Sequence, residues 1–186
     1  DRQASVSHLL THGGFKGLLF LGAGAVLHAT GTREMNRLGG LIRTMPWTAA
    51  AFCAGAAAIA ALPPFNGFVG ELLIYFAGLQ GALGASRQGI VLAAVLLGGL
   101  ALIGGLAVAC FTKCFGLVFL GLPRDLPSRE APWAMRLPML ALAGLCLGLG
   151  VAAPLLPRLL APAVATLAGP SVAGTLAAAE GLLGRI

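Results

Sequence analysis

Long apolar stretches alternate with short charged loops along the chain. The uncharged runs 44–70, 88–112, 137–157 and 159–179 each exceed the roughly 18 residues that read as a membrane-crossing helix. The pattern predicts an all-α, polytopic transmembrane bundle. Its first crossing runs from about Ala4 to Ala29, and its GLLFLGAGAVL half is rich in the small residues that let membrane helices pack closely. A polar loop, TREMNRLGGLIRT, follows. Further crossings are expected at 46–83, at about 89–120 and at about 137–156. Residues 1–157 form the transmembrane domain on this reading. Residues 158–186 are an apolar tail broken by Pro162, Gly169, Pro170 and Gly174, a loop or the start of a further helix.

The stretch 46–83 is long for one crossing and short for two at about 20 residues each. It is interrupted by Leu62-Pro63-Pro64-Phe65-Asn66-Gly67, where two prolines remove backbone donors and Asn and Gly favour a turn. Loop charge arbitrates. If the stretch crosses twice, the loop arginines divide five to four between the two sides; crossing once as a broken helix, they divide six to three. The second division is the asymmetry membrane loops show, so one crossing broken at Pro63, Pro64 and Gly67 is expected. The third crossing is longer than the bilayer core, with Gly98-Gly99 and Gly104-Gly105 as expected kinks.

Composition agrees. The 186 residues are 58% hydrophobic and 10% charged, against about 25% charged in an ordinary soluble domain, and the mean hydropathy is +0.93. The net charge of +6 does not point to nucleic acid, because the basic residues form no run and aromatics are few. Ten of the twelve basic residues are Arg in loops, whereas the two lysines, Lys16 and Lys113, sit inside apolar stretches. Cys53, Cys110, Cys114 and Cys146 lie in apolar segments without a second pair or a nearby His to complete a zinc set, and read as packing residues. No metal or cofactor site, phosphate loop or nucleophile elbow is expected. The first residue, Asp1, is not an initiator Met, and the chain reads as part of something longer.

His8, His12 and Lys16 are spaced i, i+4, i+8, which places them on one side of a helix. Lys16 falls near the middle of the first crossing, where insertion of a Lys costs about 2.5–3.5 kcal/mol and where such a group normally faces a bundle interior or water. Imidazole and desolvated ammonium groups with matched proton affinities suit proton relay. Glu71 is expected in the first turn of the helix resumed after the break, near its positive dipole end. Lys113 is a relay candidate or a snorkelling side chain. His28, near the end of the first crossing, is an interfacial anchor or an exit group.

The stretch from HLLTHGGFKGLLFLGAGAVLH through MNRLGGL to LPPFNGFVGELL resembles the proton-pumping antiporter-like membrane subunits. These occur in respiratory complex I, in Mrp-type sodium/proton antiporters and in hydrogenase-4 or formate hydrogenlyase complexes. CFTKCFGLVFLGLPR is most similar to the hydrogenase-4 component B type. The resemblance covers about residues 5–125. It implies a repeat of five helices holding a half-channel and a broken helix. It also implies that Lys16 is the central-axis lysine with His8 and His12 as relay neighbours, that Glu71 occupies the broken-helix position, and that Lys113 is the lysine of the following helix. The first repeat of the family is absent from this chain, which holds one half-channel at most.

The function implied is proton translocation within a redox-driven complex, with other membrane subunits of a hydrogenase or quinone reductase as partners, the reaction centre lying outside this chain, and the bacterial cytoplasmic membrane as its location. Alternatives are an Mrp-type cation/proton antiporter subunit, moving protons or sodium, and a structural membrane anchor without conduction.

Overall fold

The computed structural model describes residues 2–83, 86–124, 126 and 128–152, and only the backbone of residues 2–8 and 10; the 158–186 tail lies outside the described residues. Within them every regular element is helical. Helix α1 spans Arg2–Thr30, α2 Pro46–Ile59, α3 Asn66–Leu83, α4 Arg87–Phe115, and α5 Trp133–Val151. α4 runs directly into a five-residue π turn, Gly116–Leu120.

Close contacts fix the directions. Cβ atoms built on Gly14 and Gly17 would lie 3.6 Å from Cys146 Sγ and from Leu142 Cδ1, so α1 and α5 run antiparallel. α1 is antiparallel to α2 as well: Gly22 faces Phe52 and Gly55 faces Leu18 and Leu19. The register along α4 settles how 46–83 runs. Leu97 meets Gly78, Gly104 meets Glu71, and Phe119 stacks on Phe52 with ring centroids 5.4 Å apart. As α4 advances, its partners step steadily backward through α3 and then α2. The two segments therefore run in one direction beside a single antiparallel helix, as one helix interrupted at the break.

α4 itself is not broken. It continues through Gly98-Gly99 and Gly104-Gly105, and the change in winding comes at Gly116, where the π turn brings Phe119 and Val118 into the core. The helix with its π turn is 34 residues long and holds an 18-residue stretch of mean hydropathy 2.5; its length is about 50 Å at 1.5 Å per residue against a hydrocarbon core of about 30 Å. No residue of α4 proper is buried, and Ile90, Val91, Leu92, Val95, Leu96, Leu102, Ile103 and Leu106 are all at least half exposed. In water such a face would be a large aggregation site; an apolar face of this length suits lipid or another membrane helix. The protein is an all-helical membrane protein. α5 also meets the length and apolarity of a span. It starts at Trp133, ahead of Pro138, and carries Arg136 over the Trp133 ring at 4.2 Å.

The core lies where α1, α2, α5 and the end of α4 meet. Leu18, Ala25, Met45, Ala49, Ala51, Phe119, Ala131 and Met139 there are almost fully enclosed. Small residues on α2 let the helices approach closely, as membrane packing favours. The polar loop closes the same end. Gly39 lies against the Leu122 carbonyl, and Gly40, at φ 66°, would bring a side chain within 2.8 Å of Pro123 Cα. The Gly-Gly of Asn36-Arg37-Leu38-Gly39-Gly40-Leu41 is thus required by a backbone-to-backbone contact and a left-handed conformation.

The start of α2 has Pro46 in its first turn but no side-chain cap from Met45. Glu130, from the loop before α5, supplies one. Its carboxylate accepts from Trp47 N at 2.8 Å, Thr48 Oγ1 at 2.6 Å and Ala131 N at 3.0 Å, and Thr44 Oγ1 lies 2.8 Å from Ser128 Oγ beside it. An anion at a helix N-terminus complements the dipole and the free N–H groups. Glu130→Ala should lower the stability of the complete protein by about 1–3 kcal/mol, read as a drop in thermal unfolding temperature in detergent. Glu130→Gln, which keeps an acceptor, should lower it less.

Candidate functional site

The helix break is built by local sterics. α2 ends with Ala60 N donating to Ala56 O and Leu62 N to Ala57 O, while Ala61 turns to φ 52°. Pro63 and Pro64 follow, joined by a cis peptide bond, and Phe65 N donates to Leu62 O at 3.0 Å. α3 then starts so close to α2 that a Cβ on Gly67 would collide with the Ala58 carbonyl. From the other side, α5 brings Gly150 against the Pro64 carbonyl and the Asn66 N–H. Phe15 of α1 fills the remaining space with Ala58, Cys146, Ile59 and Phe65. α1 and α5 therefore cover one side of the break, burying Asn66, while Leu62, Pro63 and Pro64 stay exposed on the other.

Lys16 directly follows Phe15 and stands at the midpoint of α1. Its neighbour marks its level: Phe15 packs on Ala58 at the end of α2. Phe15, Leu18 and Leu19 are buried, whereas Lys16 is exposed, on the side of α1 that also carries Leu9, His12 and Phe20. That side faces away from α2 and α5. His12 sits one turn before Lys16 on the same stripe, and its ring meets the Phe15 ring edge-on at 5.0 Å. The His12–Lys16 part of the ladder is thus one continuous face. His8 lies in α1, but its side chain is outside the described residues.

Glu71 is half-buried and differs from expectation in position. α3 begins at Asn66, with no acidic residue in its first turn, so Glu71 falls in the second turn. The reason is that Asn66 and Gly67, read from sequence as turn residues, are already helical. The end-of-helix field falls off within one turn, and its hold on Glu71 is correspondingly weaker. The carboxylate instead approaches α4, where a Cβ on Gly104 would lie 3.2 Å from Oε1. Lys113 is exposed, nine residues beyond Gly104 on α4, or about 13 Å along the axis. The register of α4 puts it between the levels of Glu71 and Phe52, beside the break. His28 is exposed two residues before the end of α1.

The structure thus brings the levels of Lys16 and Lys113 to the break, with Glu71 further into α3. It does not bring the two lysines onto one face, since Lys16 points outward from α1 and Lys113 stands on α4. Two polar residues were not singled out by sequence reasoning. Glu130 is one. Asn66 is the other, 1% exposed at the start of α3; an amide in a long uncharged run was the available signal, and its turn propensity masked it. Among the described residues no group of His, Cys, Asp and Glu could hold a metal ion.

Residues 1–101 match the family described as NADH:quinone oxidoreductase/Mrp antiporter, TM. The chain belongs to that family. It is 44% identical over 155 residues to hydrogenase-4 component B of Escherichia coli (strain K12), covering 78% of this chain and 22% of that protein. It is 43% identical over 160 residues to formate hydrogenlyase subunit 3 of the same strain, covering 84% and 26%. Its fold is similar to a chain of the Mrp complex from Dietzia sp. DQ12-45-1b, with a TM-score of 0.73, 27% identity, and 96% of this chain and 39% of that chain covered. The chain spans about a quarter of the length of those two E. coli relatives.

In this antiporter-family chain, Gly104 gives the Glu71 carboxylate its room, whereas a Cβ on Gly105 would meet nothing within 4 Å. Gly104→Leu should therefore displace the carboxylate and destabilise the protein by about 1–3 kcal/mol through overpacking, while Gly105→Leu should leave both unchanged. Thermal unfolding in detergent and the position of Glu71 in a density map of each variant check this.

Proposed function

We propose that this chain is part of a proton-translocating membrane subunit, in which Lys16, flanked by His12 and His8, passes protons toward Glu71 and Lys113 across the broken crossing. The observation that carries the reading is an ammonium group at the midpoint of a helix of the membrane bundle, level with a helix break. A charge at that depth is costly and marks an ion route more often than a packing role, and broken helices are where membrane transporters hold their ions. His12 on the same face supplies a group that exchanges protons near neutral pH. His28, exposed at the end of α1, is the exit group on this reading.

The names of the relatives support a redox-driven complex of the hydrogenase or quinone-reductase kind, with further membrane subunits as partners in a bacterial cytoplasmic membrane. The exposed face of His12, Lys16 and Phe20 is then the side on which the rest of the protein completes the route. The similarity to a chain of an Mrp complex favours a second reading, exchange of sodium for protons by the same residues. Sodium-dependent pH changes in vesicles that hold the complete complex, without electron donor, separate the two.

In the intact complex reconstituted in vesicles, Lys16→Ala should lower proton translocation by about a hundredfold or more, the scale of a lost proton-transfer group, while assembly and electron transfer to an artificial acceptor persist. Glu71→Gln should act in the same direction. An unchanged proton-to-electron ratio in Lys16→Ala overturns the reading.

A further inference from the structure

Asn66 is the first residue of α3 and is 1% exposed. Among the described residues neither amide atom, Oδ1 or Nδ2, makes a hydrogen bond of ordinary geometry, and the Cys146 thiol of α5 beside it is a weak partner that cannot satisfy both donor and acceptor. Leaving one buried polar group unpaired costs about 1–3 kcal/mol, and an amide presents both a donor and an acceptor. Hydrophobic packing gives no reason for such a residue, since Phe15, Ala58 and Val69 around the break fill their space without polar side-chain atoms. An unsatisfied amide in a native fold calls for a water or an ion. A buried water typically makes about three hydrogen bonds to such groups, and one-and-a-half turns of helix carry the same strand of backbone from Asn66 to Glu71.

We propose that Asn66 is a positioning residue that anchors bound water at the helix break, and that this water joins the Lys16 side of the break to the Glu71 side. The inference rests on the proton-transfer reading above and adds the element that bridges its gap. Phe15 of α1 contacts the break, and the exposed Lys16 follows it on the neighbouring, outward face of α1; Glu71 stands beyond the break on α3. Among the described residues, Asn66 and Thr11, one turn from Phe15 on α1, are buried polar side chains near the break. Protons move between groups too far apart for direct contact only through hydrogen-bonded water or hydroxyls, and the amide orients water by donating to one molecule and accepting from another. The amide does not titrate, so it holds the route without storing charge.

The test uses the intact complex in vesicles and three substitutions. Asn66→Leu should lower proton translocation by about tenfold or more, the low end of a lost proton-transfer contribution, with electron transfer and assembly retained. Asn66→Ser, whose hydroxyl still binds water, should keep most of it. Lys16→Ala is run alongside. If Lys16→Ala is inactive and Asn66→Leu translocates at the unmodified rate, the water-anchoring role is wrong and the proton-transfer reading stands; if Lys16→Ala translocates normally, that reading fails first. Should Asn66→Leu not assemble, a high-resolution density map of the unmodified complex decides. Ordered water at hydrogen-bonding distance, about 2.7–3.2 Å, from either amide atom supports the role, and an amide that is dry or paired directly with a protein group overturns it.

Discussion

Two backbone carbonyls, those of Ala58 and Pro64, govern how the rest of the bundle can pack. Each is touched by a glycine from another segment, Gly67 of α3 and Gly150 of α5. Inside a bilayer a helix interrupted by two prolines leaves polar backbone groups with no water to receive them, and lipid-facing exposure of such groups carries several kcal/mol each. The fold answers by packing α1 and α5 against one side of the break, and that close approach needs surfaces without side chains. Any Cβ at Gly67 would push α3 off α2; any at Gly150 would lift α5 away from the break. The position of α5, and through it that of α1, follows from closing this one defect.

The cost of the break is matched by what it offers. A continuous helix presents only side chains to its neighbours, because its backbone groups are bonded to one another. The interruption between Ile59 and Asn66 allows polar groups other than lysines and carboxylates at mid-depth, and Asn66 takes that place. Lys16 reaches the same level from α1 and Lys113 from α4. Charge at this depth is arranged around a local absence of regular structure, which is the arrangement under which a low-dielectric interior tolerates it. In the described part of the chain Lys16 and His12 lie on an open face of α1, while the apolar positions next to them are buried. That asymmetry follows from the one-residue step from Phe15 to Lys16, which turns the chain by about 100° from the break to the outside.

Much of this was legible in the sequence because membrane insertion imposes coarse, one-dimensional rules. The long apolar helices α4 and α5 fall on the uncharged runs 88–112 and 137–157, and the helix break falls at Pro63 and Pro64 as read, with α4 pairing in turn with Gly78, Glu71 and Phe52. The His-Lys ladder was visible from spacing alone. What spacing does not encode is which residue begins a helix after a turn. Asn66 and Gly67 have turn propensity, so Glu71 was expected one turn earlier in its helix than it stands; tertiary contact with Ala58 and Gly150 lets α3 start at once. Nor can a single sequence pair Glu130 with the N–H of Trp47, more than eighty positions away, since loop carboxylates are common and their partners are set by folding. Both glycine pairs of α4 lie within one continuous helix, and Gly78 of α3 and Gly104 of α4 are points of close approach between the two.

The contrast between α4 and its partner crossing suggests a division of mechanical roles. α4 keeps an unbroken ladder of hydrogen bonds from Arg87 to Phe115, so the separation between Gly104 and Lys113 along its axis is fixed. α2 and α3 are two shorter rods joined by a turn, one held at its start by Glu130 and the other at its start by Gly67 and Gly150. Glu71 stands on the second rod and Phe52 on the first, while Gly104 and Phe119, which meet them, belong to one continuous run of helix. One helix thus spans both halves of the interrupted crossing and holds them in register.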